Sequence, residues 1–152
     1  WLIKSNEYVE KNIKGHAFDH GVEPERIIFA EFLANDEHLS RHSCADLFLD
    51  TFNYNAHTTA CDSLWAGLPV ITKIGNGFAS RVSSSLLNAI NLPELVTKTN
   101  EEYENLAYSL ACNPEKLTRI KEKLEKNIPL SNLFNTEKFT RDYEDLLVST
   151  VR

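Results

Sequence analysis

The sequence predicts an α/β fold, namely a Rossmann-like, open and mainly parallel sheet flanked by helices, with a helical C-terminal segment. Up to Thr99, short apolar runs of strand length alternate with segments of helical periodicity across short connections. Such alternation produces parallel βαβ units. Beyond Thr99 the periodicity is helical throughout. We therefore expect an α/β core over residues 1–99, with the helices of residues 100–152 packed on the same domain.

The first quarter of the chain predicts two strand–helix pairs. Residues 1–4 are an apolar run typical of a strand, and residues 5–21 have helical spacing that ends at a glycine. The β-branched and aromatic run at 26–32 predicts the second strand. The helix of residues 35–44 begins at Asn35, a favourable N-cap, and continues with acidic residues.

The remainder of the core predicts three further strands with helices between them. Residues 45–51 are almost continuously apolar, which favours a strand covered on both faces. Gly67 and Pro69 end the helix that follows, because glycine accepts the left-handed conformation and proline cannot continue a helix. The predicted strands are 45–51, 69–75 and 94–98, and the predicted helices are 57–66 and 77–90.

Composition excludes several classes of partner. A net charge of −6 argues against nucleic acid and anionic membranes, which bind clustered Lys and Arg. The chain has no apolar stretch long enough to span a membrane and no secretory signal pattern. Its three cysteines are odd in number and widely spaced, so we expect buried, reduced thiols and a cytoplasmic location. Because the chain starts within an apolar run and has no methionine, we expect it to be part of a longer protein.

The stretch "NAHTTACDSLWAGLPV" at 55–70 predicts an anion site. In a parallel sheet, ligands bind where loops leave the carboxyl ends of strands and enter helices. A helix that begins near His57 directs free N–H groups of His57, Thr58 and Thr59 outward, which suits a phosphate or diphosphate. Asp62, about one turn further, is placed to accept from the hydroxyls of a ribose. The alternative is ordinary N-capping by Asn55 or Thr58.

Two other clusters have weaker patterns. His38 and Arg41 share a helix face and are candidates to hold a base or a phosphate, or they belong to a solvated face. Two pairs of histidines have a spacing that can coordinate zinc, namely His38 with His42 and His16 with His20. The sequence indicates no third ligand for either pair, so we expect no metal site.

The segment "GNGFASRV" at 75–82 is a third junction between a strand and a helix. Gly75 and Gly77 permit a tight backbone there, and Ser80 and Arg81 are expected to enter the helix. Its alternative is an ordinary turn in which Arg81 pairs with a carboxylate.

Five segments in order carry a further signal. They are "RIIF" at 26–29, "DEHLSRHSCADLFLDT" at 36–51, "NAHTTACDSLWAGLPVIT" at 55–72, "FASRVSSSLL" at 78–87 and "LFNTEKFT" at 133–140. Together, these segments resemble the O-GlcNAc transferase family, glycosyltransferase family 41. The resemblance implies the C-terminal, donor-binding lobe of a two-lobed GT-B enzyme that carries tetratricopeptide repeats. It also implies transfer of a sugar, typically from UDP-N-acetylglucosamine, to Ser or Thr of a protein.

The resemblance also implies roles for individual residues. The diphosphate contacts, the ribose contact and the surroundings of the nucleotide and sugar all fall within residues 38–62. No metal is required in that scheme, because helix dipole, amides and cationic side chains stabilise the leaving diphosphate. The implied residues are His57, Thr58 and Thr59 for the diphosphate, Asp62 for the ribose, His38 and Arg41 around the nucleotide, and Tyr54 and Asn55 on the sugar side.

The catalytic groups are expected outside this chain. In the family a lysine that assists departure of the diphosphate lies upstream of the residue matching Trp1, and the N-terminal lobe and repeats supply the acceptor side. We therefore expect no catalytic residue here and no turnover by the chain alone. The competing hypotheses are a nucleotide-binding or interaction module without catalysis, and a structural domain without a ligand.

Two departures from the family pattern concern the donor. Asn35 stands where the family usually has a lysine beside the base, and Tyr54 where it has a small residue near the sugar. UDP-glucose and GDP-fucose are therefore alternative donors. The last helix places Phe139, Tyr143, Leu146 and Leu147 on an apolar face, which predicts self-association of the chain.

Overall fold

The computed structural model describes residues 1–151, in two compact units, Trp1–His38 and Leu39–Arg152. In the first unit, strand β1 (Leu2–Ile3) pairs in parallel with strand β2 (Phe29–Ala30). Between them lies helix α1 (Glu7–Asp19), and helix α2 (Asn35–Arg41) starts near the end of the unit. No residue from 1 to 38 is fully buried.

The second unit contains a three-stranded parallel sheet in the order β3-β4-β5. Helices α3 and α4 connect the strands, so each connection is a βαβ crossover. The predicted fold class, parallel strands flanked by helices, is therefore confirmed. The elements are β3 (Phe48–Leu49), α3 (Thr58–Trp65), β4 (Val70–Lys73), α4 (Val82–Ala89) and β5 (Val96–Thr97).

Three helices complete the second unit. Helix α5 (Asn100–Cys112) packs against β4 and β5, and helix α6 (Pro114–Asn127) packs against α5. Helix α7 (Thr136–Thr150) contacts the short 3-10 turn Asn132–Phe134. The side chains of Thr99, Asn113 and Asn135 cap the three helices by accepting from the N–H of the residue three positions on. The predicted division after Thr99 stays a prediction.

The hydrophobic core is centred on β4. Val70, Ile71 and Thr72 are buried, because β4 is paired on both sides and contacts α3, α4 and α5. β3 differs from its prediction as a strand covered on both faces, since Leu49 is 57% exposed. The buried apolar cluster comprises Leu64, Val70, Ile71, Leu87, Ile90, Leu92, Leu95, Tyr103, Leu110 and Leu124.

The cysteines are free, as expected, but the prediction that they are buried is wrong. Cys44 and Cys112 are exposed, because each lies at the end of a helical segment rather than on a face turned to the core. Cys61 on α3 is half-buried. Burial, with the neighbouring Asp62 carboxylate as a smaller contribution, raises the pKa of the Cys61 thiol.

The apolar face of α7 is exposed. Phe139, Tyr143, Leu146 and Leu147 are all exposed, and the rings of Phe139 and Tyr143 stack with centroids 6.1 Å apart. Such a face favours association, but self-association of the chain stays a prediction. None of the helices in residues 1–151 combines the length and apolar character needed to cross a membrane.

Candidate functional site

The loop of residues 50–57 joins the end of β3 to the start of α3, at the carboxyl edge of the parallel sheet. It begins with Asp50, which is only 3% exposed. An ionised or polar group buried to this extent must be hydrogen-bonded to be tolerated. The geometry around Asp50 therefore decides where α3 begins.

The carboxylate of Asp50 closes the loop on itself. Its Oδ1 accepts from the backbone N–H of Thr51 at 2.9 Å and from that of Ala56 at 2.7 Å. Its Oδ2 accepts from the hydroxyl of Thr72 on the neighbouring strand at 2.6 Å. One side chain thus ties both ends of the loop to the central strand, and it fixes the residue immediately before His57.

The main chain at Asp50 is held by a helix from the C-terminal part of the chain. The Tyr103 hydroxyl on α5 donates to the Asp50 carbonyl at 3.0 Å. Burial, with the nearby Asp50 as a smaller contribution, raises the pKa of Tyr103 to about 12. The pKa of Tyr103 in the folded state exceeds that of an ordinary phenol, so its hydroxyl stays neutral and continues to donate. The stabilising contribution of this hydrogen bond is lost only as pH rises above about 10.

The far end of the loop is anchored on α4 and on the segment before it. The Ser83 hydroxyl donates to the Ala56 carbonyl at 2.8 Å, and the Asn55 N–H donates to the Ala79 carbonyl at 2.9 Å. The Asn55 side chain is 1% exposed and donates to the Thr51 carbonyl, whereas its Oδ1 has no donor among residues 1–151. Asn55 is therefore part of the loop's scaffold, and its role towards a sugar stays a prediction.

Helix α3 begins without a side-chain cap. His57 occupies the N-cap position, and no side chain accepts from the first turn. The interpretation that Asn55 or Thr58 caps this helix is therefore wrong. Within the described part of the chain, the N–H groups of His57, Thr58 and Thr59 have no acceptor. Three adjacent donors at a helix N-terminus, reinforced by about half a positive charge from the macrodipole, are the arrangement that favours an anion, and the binding of one here stays a prediction.

Aromatic rings surround the first residue of this site. The Tyr54 ring stacks on the His57 imidazole with centroids 4.8 Å apart and an angle of 17°. Phe78 meets the same imidazole edge-on at 6.2 Å. Tyr54 is 65% exposed and Phe78 84% exposed. The start of α3 therefore has an accessible aromatic rim.

The segment of residues 74–81 contains Phe78 of that rim, but its secondary structure differs from the prediction. Helix α4 starts at Val82, so Ser80 and Arg81 precede it rather than enter it. The alternative of an ordinary turn is confirmed, but Arg81 is exposed and has no ion pair with any residue of 1–151, so the carboxylate partner of that alternative is wrong. The Gly75 N–H donates to the Ser80 carbonyl at 2.8 Å, which closes the segment into a tight turn.

The remaining predicted residues lie on α2 and α3. Asp62 is partly buried on α3, one turn beyond the three open N–H groups. His38 and Arg41 are both partly buried on α2, with His38 in the first unit and Arg41 in the second. The structure thus brings together Tyr54, Asn55, His57, Thr58, Thr59 and Asp62. Residues 1–151 contain no group of three or more His, Cys, Asp or Glu side chains placed to hold a metal ion.

Sequence reasoning missed the residues that position the site. Asp50 is detectable as an acidic residue at the end of an apolar strand run, directly before the loop. Thr72, Ser83 and Tyr103 have no such signal, because their hydroxyls reach the loop only through tertiary packing.

The chain is similar in sequence to known proteins along nearly its whole length. A family model described as Glycosyl transferase family 41 matches residues 1–143. A UDP-N-acetylglucosamine–peptide N-acetylglucosaminyltransferase of Caenorhabditis elegans is 37% identical over 147 residues, covering 97% of this chain and 13% of the relative. A probable enzyme of the same name from Arabidopsis thaliana, SEC, is 37% identical over 145 residues, covering 95% of this chain and 15% of the relative.

A solved structure agrees with these sequence matches. A mutant of the O-GlcNAc transferase of Thermobaculum terrenum superimposes with a TM-score of 0.87 at 30% identity, covering 93% of this chain and 27% of that one. The chain thus spans only a small part of each of these longer proteins. Since the family model extends over nearly the whole sequence and the relatives cover it almost completely, the chain belongs to glycosyl transferase family 41.

Proposed function

We propose that this chain is the donor-binding lobe of a glycosyltransferase that transfers a sugar from a nucleotide-sugar, UDP-N-acetylglucosamine, to Ser or Thr of proteins. The observation on which the proposal depends is the uncapped start of α3, with three adjacent N–H groups that have no acceptor within residues 1–151. Family membership supports the reaction class.

The donor diphosphate would accept from the N–H groups of His57, Thr58 and Thr59. The Asp50 network holds these groups in place before the ligand arrives, so little reorganisation is required. As the bond to the sugar breaks, negative charge grows on the diphosphate, and preorganised donors stabilise that charge more than they stabilise the substrate. The chain would thus assist departure of the nucleotide diphosphate.

The rest of the donor would extend from this point. We assign the ribose hydroxyls to the Asp62 carboxylate, one turn along α3, and the nucleotide surroundings to His38 and Arg41. Tyr54, exposed at the rim, is assigned to the sugar side. The protein acceptor and the catalytic lysine are assigned to parts of the longer protein outside this chain, together with tetratricopeptide repeats.

The proposed setting is the cytoplasm. The three cysteines are free, and none is paired in a disulfide within the described residues. Free thiols are typical of proteins in reducing compartments. This supports, together with the acceptor class, a reaction on intracellular proteins.

Isothermal titration calorimetry of the chain with UDP, GDP and inorganic phosphate tests the donor site. We expect UDP to bind more tightly than GDP or phosphate. The Asp62→Ala variant should bind UDP about tenfold more weakly, since a hydrogen bond to a charged group contributes about 1.5 kcal/mol or more. Phosphate affinity should change little in this variant, because the change removes only the ribose contact.

Glu104→Ala is the matched control, because it removes an exposed carboxylate from α5. It should leave UDP affinity unchanged. Equal affinity for UDP and phosphate, or an Asp62→Ala variant that binds UDP as tightly as the original chain, would contradict the assignment of the nucleotide to α3.

A further inference from the structure

Lys73 is the last residue of β4 and lies partly buried at the carboxyl edge of the sheet. Its ammonium donates to Oδ1 of Asn100, the first residue of α5, at 2.7 Å. The same ammonium lies over the ring of Phe52, with Nζ 4.5 Å from the ring centroid. No carboxylate of residues 1–151 forms an ion pair with it. A partly desolvated cation without a carboxylate partner is therefore directed at an aromatic face.

This contact matters because of where Phe52 lies. Phe52 belongs to the loop of residues 50–57, which leads into α3, and it packs against the hydrophobic core. Its ring meets the ring of Tyr103 on α5 edge-on, with centroids 5.0 Å apart and an angle of 88°. The Tyr103 hydroxyl in turn holds the Asp50 carbonyl at the beginning of the loop. Phe52 is thus held from two sides, by the cation on β4 and by the aromatic ring on α5.

Hydrogen bonds within the loop do not connect its tip, residues 52–54, to the sheet. The Thr51 hydroxyl donates to the Tyr54 carbonyl, and the Asn55 side chain donates to the Thr51 carbonyl, so both bonds join the loop to itself. The Phe52 ring, in contrast, contacts side chains of β4 and α5. An ammonium attracts an aromatic face directionally, and the attraction is stronger when the cation is partly desolvated. The position of the tip therefore depends on Lys73.

We propose that Lys73 is a positioning residue for the donor site, because its cation holds Phe52 and keeps the loop of residues 50–57 in the conformation that presents the amides of α3. This inference depends on the proposed function, since it assumes that a nucleotide diphosphate binds at the start of α3. Without the cation the loop is freer, and ligand binding must then order it. The Lys73→Met variant retains the length of the side chain without its charge, and it should bind UDP about fivefold more weakly in calorimetry.

Amide hydrogen exchange separates positioning from a general structural role. The N–H groups of Thr51, Asn55 and Ala56 all have acceptors, so their exchange reports local opening of the loop. In the Lys73→Met variant we expect these three amides to exchange about fivefold faster. The amides of β4, a buried strand paired on both sides, should exchange as before. A general loss of stability would instead accelerate exchange in β4 as well.

Two further variants test whether the charge and the aromatic face act together. Lys73→Arg keeps a cation that stacks on aromatic rings, so it should retain both the protection of the loop and the UDP affinity. Phe52→Leu keeps an apolar side chain but removes the aromatic face. In the Phe52→Leu background, Lys73→Met should therefore have little further effect on UDP affinity.

Lys98→Met is the matched control, because it removes an exposed ammonium immediately after β5 that has no partner within residues 1–151. It should leave UDP affinity and loop exchange unchanged. Equal UDP affinity of Lys73→Met and Lys98→Met would overturn the proposal. An undiminished effect of Lys73→Met in the Phe52→Leu background would overturn it too, because the effect would then come from the bond to Asn100. Failure of the original chain to bind UDP would overturn the donor site, and loop exchange would still decide whether Lys73 holds the loop.

Discussion

Replacement of Asp50 with alanine is expected to lower the free energy of unfolding by about 3 kcal/mol or more, because three buried donors lose their acceptor at once. These donors are the N–H groups of Thr51 and Ala56 and the hydroxyl of Thr72. UDP affinity should fall together with stability, since the residue before His57 is no longer held. Urea denaturation and UDP calorimetry measure the two effects.

Two further variants separate the geometry from the charge. Asp50→Asn keeps an oxygen for both N–H groups, so we expect a loss of only about 1 kcal/mol. Asp46→Ala removes a nearby carboxylate that is 82% exposed and paired with Lys121, and it should change stability by less than about 1 kcal/mol. Equal stability of Asp50→Ala and Asp46→Ala would contradict the role assigned to Asp50.

Substitution of Gly75 by alanine is expected to cost about 1 to 3 kcal/mol, because the added methyl group has no space. A Cβ at this position would overlap Oγ of Ser80 and would lie 2.7 Å from its Cβ. The turn must open to relieve this contact, and Ala79, whose carbonyl accepts from the Asn55 N–H, would move with it. Chemical denaturation of the variant provides the measurement.

The double variant Gly75→Ala with Ser80→Gly tests the cause directly. It removes both clashing atoms, so it should be more stable than expected from adding the two single effects. Gly77→Ala is the matched control, because its Cβ would meet only Ser80 Oγ at 3.8 Å, and its effect should stay within about 0.5 kcal/mol. Additive single effects in the double variant would show that the lost stability has another source.

The sequence predicted the α/β class and the start of a helix at the sheet edge, because both depend on local patterns; the site residues stay a prediction. An apolar run, a polar loop and "HTT" before an apolar helix are enough to place a helix start beside a sheet edge. The same pattern left capping by Asn55 or Thr58 open, because capping residues and anion-binding residues are the same types. The uncapped first turn rules out capping by Asn55 or Thr58, and anion binding stays a proposal.

What the sequence could not predict depends on tertiary contacts. The partners of Asp50 come from the far side of the loop, from β4 and from α5, which no local spacing connects. The early start predicted for α4 failed because residues 78–81 satisfy their backbone in a turn closed by Gly75, despite helical periodicity. The prediction that the cysteines are buried failed because residue type gives only a preference for burial and does not fix where a side chain lies.

The central claim is that the open amides at the start of α3 bind the donor diphosphate, and amide NMR spectra of the nitrogen-15-labelled chain during a UDP titration test it most directly. Our account predicts that the N–H resonances of His57, Thr58 and Thr59 shift downfield and saturate together, while those of α6 and α7 stay in place. Saturable UDP binding that leaves these three amides unchanged would contradict it.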